Sequence, residues 1–177
     1  MECIKLFKEI LCIAEESLVC RLAKDLITCI EKNCPLICLY SILKIIYEVV
    51  GQETYYRLIG VGDDEFQRIL SKRSREYASF KTWMITKLKG VDGVTRKKLL
   101  RLYLTLSNYV HPSTRLYEGL EVDNELILRA MDAIVYMITL GNNNYLQRLC
   151  GIADPEKLSR CLFVKTSKRV SKYCIEP

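Results

Sequence analysis

The sequence predicts an all-α protein: a single-domain, multi-helix bundle built around one apolar central helix. The first observation is periodicity, because apolar residues recur at steps of three and four along most of the chain, as on the buried face of a helix. The second is composition: half of the 177 residues are hydrophobic, which suffices for one sizeable core in a chain too short for two large domains. The third is the segment "LICLYSILKIIYEVVG", apolar on nearly every side. We expect a helical domain over residues 1–164 and a basic, disordered tail over residues 165–177.

The first part of the chain predicts helices separated at a proline and a glycine. Helically spaced apolar residues from Ile4 to Cys29 predict one long helix or two in tandem. Pro35 suits the first turn of the central helix, and Gly51 suits its C-terminal stop. A short helix ending at Leu58 should follow.

The remaining elements are predicted from capping residues and breaks. The helical pattern resumes in "FQRILSKRSREYASFKTWMITKLKG". Thr95 can cap a helix that ends near His111, and Asp123 can cap one that stops at Gly141. Pro155 begins a last short helix.

The positive charge is concentrated in the middle third of the chain. The formal net charge is +6, and residues 61–120 carry twelve bases and six acids, whereas the flanking segments are nearly neutral. From Gln67 to Arg101, eleven bases face only Glu76 and Asp92. Such a local excess predicts an anionic partner, and we expect nucleic acid, RNA or single strands rather than duplex DNA. The candidate nucleic-acid-binding residues are Arg68, Lys72, Arg73, Arg75, Lys81, Lys87, Lys89, Arg96, Lys97 and Lys98.

Aromatic residues interleave with these bases at Tyr77, Phe80 and Trp83. If exposed, such rings would stack on unpaired bases. Phe80, Trp83 and Met84 lie three and four residues apart, however, and this spacing is typical of a buried helix face. We therefore expect these three side chains in the core.

The single histidine, His111, ends a helix immediately before a proline. On a helical wheel of about 100° per residue, it shares a polar arc of about 80° with Lys97, Arg101 and Asn108, opposite the core face. One interpretation is a residue that completes the C-terminus of the helix. The other is a catalytic site for RNA cleavage, in which His111 is the general base and Arg101 and Asn108 hold the phosphate or the base.

The helix ending in "LSNYVHPS", its polar loop and the next long helix resemble the HEPN domains of prokaryotic defence and toxin systems. The resemblance covers Thr95 to Leu140. The family motif is an arginine and a histidine with four to six residues between them, and active members cleave RNA, usually as dimers. Here nine residues separate Arg101 from His111, which is about 15 Å along a helix. The resemblance implies a helical bundle, a homodimer and either a metal-independent endoribonuclease or a non-catalytic RNA-binding member.

Two segments resemble the helix-hairpin-helix pattern: "LIGVGDDEFQRIL" from Leu58 and "LKGVDGVTRKKLL" from Leu88. Such hairpins offer backbone N–H groups to a DNA phosphate. Ordinary glycine turns before capped helices explain the same residues, so both interpretations stay open.

Nine cysteines are many for this length. Without a CxxC pair and with only one distant histidine, they predict no metal site. We expect mostly buried thiols that act as small hydrophobes, with disulfide bonds, which hyperthermophiles form even inside cells, as the alternative. The odd number leaves at least one thiol free.

Other functional classes lack their sequence features. No uncharged apolar run approaches the roughly 18 residues of a membrane span, and no phosphate-binding loop motif is present, so we expect a cytoplasmic protein without a membrane partner or a cofactor. The sequence favours an RNA-cleaving or RNA-binding HEPN-like protein. The alternative is a non-enzymatic interaction, coat or adaptor protein that contacts DNA or an acidic partner.

Overall fold

The computed structural model describes residues 2–14, 17–62, 64–66, 68, 80–111, 123–152, 155–161 and 164–175. These residues contain helices and no strand, which confirms the all-α prediction. None of the described helices is both long and apolar enough to cross a membrane. The helices whose two ends both lie in the described ranges are α1 (Glu2–Leu11), α2 (Leu18–Glu31), α3 (Leu36–Leu58), α4 (Thr82–Thr86), α5 (Gly93–Val110), α6 (Asn124–Thr139), α7 (Asn143–Ile152), α8 (Pro155–Cys161) and α9 (Val164–Ile175).

Helix α3 is the predicted central helix, and it packs against α2, α5 and α6. Tyr40 and Tyr47 lie fully buried on it. The Tyr47 hydroxyl donates to the Leu99 carbonyl of α5 at 2.9 Å, which gives the buried phenol a partner and fixes α5 against α3. Burial raises the pKa of Tyr47 far above its ordinary value.

The predicted stop at Gly51 is wrong, because α3 continues through this residue to Leu58. A Cβ atom at Gly51 would lie 2.9 Å from Cε2 of Phe80. Gly51 therefore lets the ring of Phe80 pack closely against the helix backbone, and it does not end the helix.

The C-terminal third contains helices that the sequence did not predict. Helix α7 starts because Asn142 accepts a hydrogen bond from the Tyr145 N–H at 3.0 Å, as an N-cap residue does. Residues 164–175 form α9 in place of the expected disordered tail. Its Val170 and Thr166 are fully buried, and the Thr166 hydroxyl donates to Asp132 of α6 at 2.5 Å. The tail interpretation is therefore wrong for the described part of residues 165–177.

Six of the nine cysteines form disulfide bonds, so the preferred expectation of free, buried thiols is wrong for them. The pairs are Cys3–Cys161, Cys12–Cys20 and Cys150–Cys174. The first joins α1 to α8, the second closes the turn between α1 and α2, and the third joins α7 to α9. The bonds therefore connect both ends of the chain to the bundle.

Cys29, Cys34 and Cys38 are free, which confirms that at least one thiol stays unpaired. The Cys34 N–H donates to the Cys29 carbonyl at 2.9 Å, and Asn33 has a positive φ of 49°. These two features define a Schellman motif, in which Asn33 is the left-handed residue and Cys34 folds back over the last turn of α2. Burial, and next the hydrogen bond with Cys34, raise the pKa of the Cys29 thiol to about 11.

We predict a fixed order of thiol alkylation. The exposed Cys38 should react first with iodoacetamide and the buried Cys29 last, because a thiol with a pKa of about 11 holds little thiolate near neutral pH. Mass spectrometry of the denatured, unreduced chain should count three labels, the number of free cysteines. A chain that takes up nine labels before reduction contradicts the pairing.

Candidate nucleic-acid interface

Helix α5 carries the centre of the predicted basic surface, and Asp92 fixes where it begins. Asp92 Oδ1 accepts from the Thr95 N–H at 2.9 Å, and Oδ2 accepts from the Thr95 hydroxyl at 2.5 Å. Asp92 is thus the N-cap, and the prediction that Thr95 caps the helix is wrong. The helix buries Leu99 and Leu106 against the core.

The outward face of α5 exposes three cations. Lys97, Lys98 and Arg101 are all exposed, and none of them lies within 4.0 Å of a described carboxylate. Val94 and Leu104, which are 64% and 49% exposed, lie on the same side of the helix. We call Lys97, Lys98 and Arg101 the α5 cations.

A groove of about 910 Å³ runs between α5 and α6. Lys98, Arg101 and Thr105 line its α5 wall. Its other walls include Arg129 and Lys168, and neither was predicted from the sequence.

The carboxylates that line this groove already have partners within the protein. Asp123 accepts from the Leu126 N–H at 2.8 Å, which confirms it as the cap of α6. Glu125 pairs with Arg129, and Asp132 accepts from the Thr166 hydroxyl. Glu125 is paired with a cation, whereas Asp123 and Asp132 accept hydrogen bonds and keep their negative charge, so the described lining of the groove carries four cations against three carboxylates.

The α4 region extends the basic surface. Arg96 donates from Nη1 to the Thr86 carbonyl at 2.8 Å, which holds the end of α4 against the first turn of α5. Lys87 and Lys89, one and three residues after Thr86, are exposed, and so is Lys81. Arg96 was predicted to bind nucleic acid, but it is half-buried and one of its N–H groups joins the two helices.

Other predicted residues are not brought to this surface by the described structure. Arg68 is exposed, but Glu65 pairs with it at 2.5 Å. That hydrogen bond, followed by the charge of Glu65, raises the pKa of Arg68. Lys72, Arg73 and Arg75 lie outside the described residues.

Trp83 does not lie in the core, so its predicted burial is wrong. Its side chain is 44% exposed, whereas Met84 is buried and Phe80 is half-buried, as predicted. A helix of only five residues has room for Met84 and Ile85 on its buried side and turns Trp83 outward.

His111 is exposed at the end of α5, where the wheel predicted it. Its backbone N–H donates to the Ser107 carbonyl at 3.0 Å, so it completes the C-terminus of the helix. Its Nε2 lies 3.4 Å from Nζ of Lys44 on α3. This contact is a hydrogen bond when Nε2 is unprotonated, because an ammonium group offers only donors.

The three candidate catalytic residues all lie on α5 and its C-terminal cap. Arg101 lines the groove toward α6, whereas His111 lies beside Lys44 of α3. Asn108 is exposed.

Sequence reasoning missed the polar cluster of Lys44, Glu48 and Tyr103, which His111 contacts through Lys44. Lys44, only 13% exposed, pairs with Glu48 at 3.6 Å, and Tyr103 of α5 donates its hydroxyl to Glu48 at 2.9 Å. Burial, and next this bond to Glu48, raise the pKa of Tyr103. The available signal was a lysine and a glutamate four residues apart that interrupt the apolar run of α3.

No family model matches this chain, and no curated protein or solved structure matches it significantly. The resemblance to HEPN domains stays a prediction.

Proposed function

We propose that this protein binds nucleic acid, RNA or other single strands in preference to duplex DNA, on the surface formed by α5 and the end of α4. The observation that carries the proposal is the set of α5 cations, which are exposed and without a described carboxylate within ion-pair distance. Unneutralised cations along one helix suit a partner that repeats its negative charge, as a phosphate backbone does.

The neighbouring groove favours a flexible strand over a rigid duplex. It is about 910 Å³ in volume, the size of a pocket for a small ligand, and a duplex is too wide to enter it. An extended strand could place phosphates along the α5 cations and unpaired bases in the groove.

RNA cleavage by a single chain is not part of the proposal. Chemistry at one phosphate needs the base and the cation on the same reacting group, whereas Arg101 lines the groove between α5 and α6 and His111 contacts Lys44 of α3. A HEPN-like endoribonuclease would need a homodimer in which one chain supplies the histidine and its partner the arginine.

An adaptor for an acidic protein is the second candidate. The exposed Val94 and Leu104 lie beside the α5 cations, and an apolar, acidic helix would cover both kinds of side chain. A coat or adaptor protein of this kind would not need a phosphate backbone.

The disulfide bonds bear on the proposed cytoplasmic location. Three of them in one chain are unusual for a cytosolic protein of a mesophile but common in intracellular proteins of hyperthermophiles. The cytoplasmic proposal is therefore tied to a thermophilic source.

We expect salt-dependent binding without cleavage. Labelled single-stranded RNA, single-stranded DNA and duplex DNA are titrated by fluorescence anisotropy at several salt concentrations, and the strands are then run on a denaturing gel. Binding to single strands should weaken steeply with salt, and the strands should stay intact with both the wild type and His111→Ala. If no strand binds even at low salt, the result contradicts the proposal and favours the adaptor. If the wild type cleaves the RNA and His111→Ala does not, the protein is an endoribonuclease that uses His111.

A further inference from the structure

The only tryptophan of the chain is exposed within the basic surface. Trp83 is 44% exposed, although tryptophan is one of the largest apolar side chains and is mostly buried in proteins. Its neighbours Met84 and Ile85 are buried at 3% and 0% exposure. Helix α4 is therefore firmly packed, and the outward position of Trp83 does not result from a loosely attached helix.

Other aromatic rings support the indole from beneath. Tyr55 of α3 meets it edge to face, with ring centroids 5.1 Å apart and an interplanar angle of 89°. Tyr55 contacts Tyr56 at 5.5 Å, and Tyr56 contacts the buried Phe66 at 5.7 Å. Trp83 is the exposed end of this row of rings, so that it is held in a fixed orientation.

A cation lies directly over the indole. Lys87 Nζ is 5.1 Å from the ring centroid, a cation–π contact that is weak at an exposed site. Lys87 is itself exposed and can leave the ring at little cost. An aromatic face with a mobile ammonium group beside it provides the two contacts that one nucleotide needs, a stack for the base and a charge for the phosphate.

The indole is also connected to the α5 cations. The hydrogen bond from Arg96 to the Thr86 carbonyl holds the end of α4 at the start of α5. The exposed Lys87 and Lys89 follow this end of α4, so a strand that lies along Lys97 and Arg101 would meet further cations where the two helices join.

We infer that Trp83 is a stacking platform for one unpaired base of a bound single strand, and that Lys87 moves from the indole to the adjacent phosphate. This inference rests on the proposed function and adds the substrate class, because bases inside a duplex are already stacked and cannot reach the ring. Loss of the platform should weaken single-strand binding about 5- to 150-fold, the range measured for one base–aromatic stack.

The single tryptophan makes the test direct, because all indole emission comes from this site. Single-stranded oligothymidine, a duplex of equal phosphate number and inorganic polyphosphate are added separately while tryptophan emission is recorded. Oligothymidine should quench the emission. The duplex and polyphosphate should bind the cations without quenching the emission, since neither offers a free base.

Variants separate stacking from charge. Trp83→Ala should lose single-strand affinity, measured by the anisotropy of a labelled strand, while Trp83→Phe should keep most of it and polyphosphate affinity should not change. The matched control is Tyr173→Ala, which removes another exposed aromatic side chain, on α9, where the helix packs against α6, α7 and α8. It should bind like the wild type.

The measurements distinguish a failure of the stacking inference from a failure of the proposed function. Salt-dependent strand binding with unchanged emission and full affinity in Trp83→Ala overturns the stacking platform and leaves the proposed function standing. Equal quenching by polyphosphate also overturns it, because the signal would then report charge alone. Absence of any strand binding at low salt overturns the proposed function and this inference together.

Discussion

Replacing the α5 cations Lys97, Lys98 and Arg101 with alanine should lower the affinity for a single strand about 100-fold at about 0.1 M salt. The reason is counterion release, since each phosphate contact with a single strand contributes about 0.7 to the slope of log K against log salt concentration. Three lost contacts should reduce the slope by about 2. If the variant and the wild type bind equally at about 1 M salt, their affinities at about 0.1 M salt should then differ by about two orders of magnitude. Anisotropy titrations of the variant and the wild type across salt concentrations measure both quantities.

A second triple variant controls for total charge. Arg21, Lys24 and Lys32 are exposed on or directly after α2, away from the proposed surface. Their replacement with alanine removes the same charge, but it should change the affinity less than about 3-fold, because separate surface charges are screened beyond about 10 Å. Equal losses in the two triple variants would mean that net charge, and not the α5 face, attracts the strand.

Local sequence signals predicted the parts of the fold that depend on local physics. The apolar run of α3 indicated a buried central helix, and Asp123 indicated the start of α6, because periodicity and capping act over one or two turns. Gly51 was misread because its reason is a ring that arrives from residue 80. Helix α9 was missed because its burial depends on Asp132, which lies 34 residues from its partner Thr166.

In the candidate site, too, the sequence predicted the features of a single helix but not the contacts between distant residues. The helical wheel placed Lys97, Arg101 and His111 on the exposed side of α5, because one helix has a known geometry. The orientation of Trp83 could not be predicted, since it depends on how α4 docks against Tyr55. The contact of His111 with Lys44 joins residues 67 apart, and a single sequence carries no signal for that pairing.

Replacing Cys3 and Cys161 with alanine should lower the free energy of unfolding by about 3–5 kcal/mol. The two residues are separated by 158 positions, and a cross-link over a long loop removes much conformational freedom from the unfolded chain. The bond also fastens α8 to α1, and α9 packs against α8. Guanidinium denaturation should therefore show a lower midpoint, and its m-value should rise because the unfolded chain becomes more expanded.

Two matched variants distinguish loop length from the loss of any cysteine. Cys12→Ala with Cys20→Ala opens a bond that spans only 8 positions, for which chain entropy predicts about 2.5 kcal/mol. Cys38→Ala removes an exposed free thiol and should change stability by less than about 0.5 kcal/mol. If opening the short loop costs as much as opening the long one, the bonds stabilise through native packing and not through the unfolded chain. If the Cys3 and Cys161 variant unfolds like the wild type, this cross-link does not stabilise the folded chain.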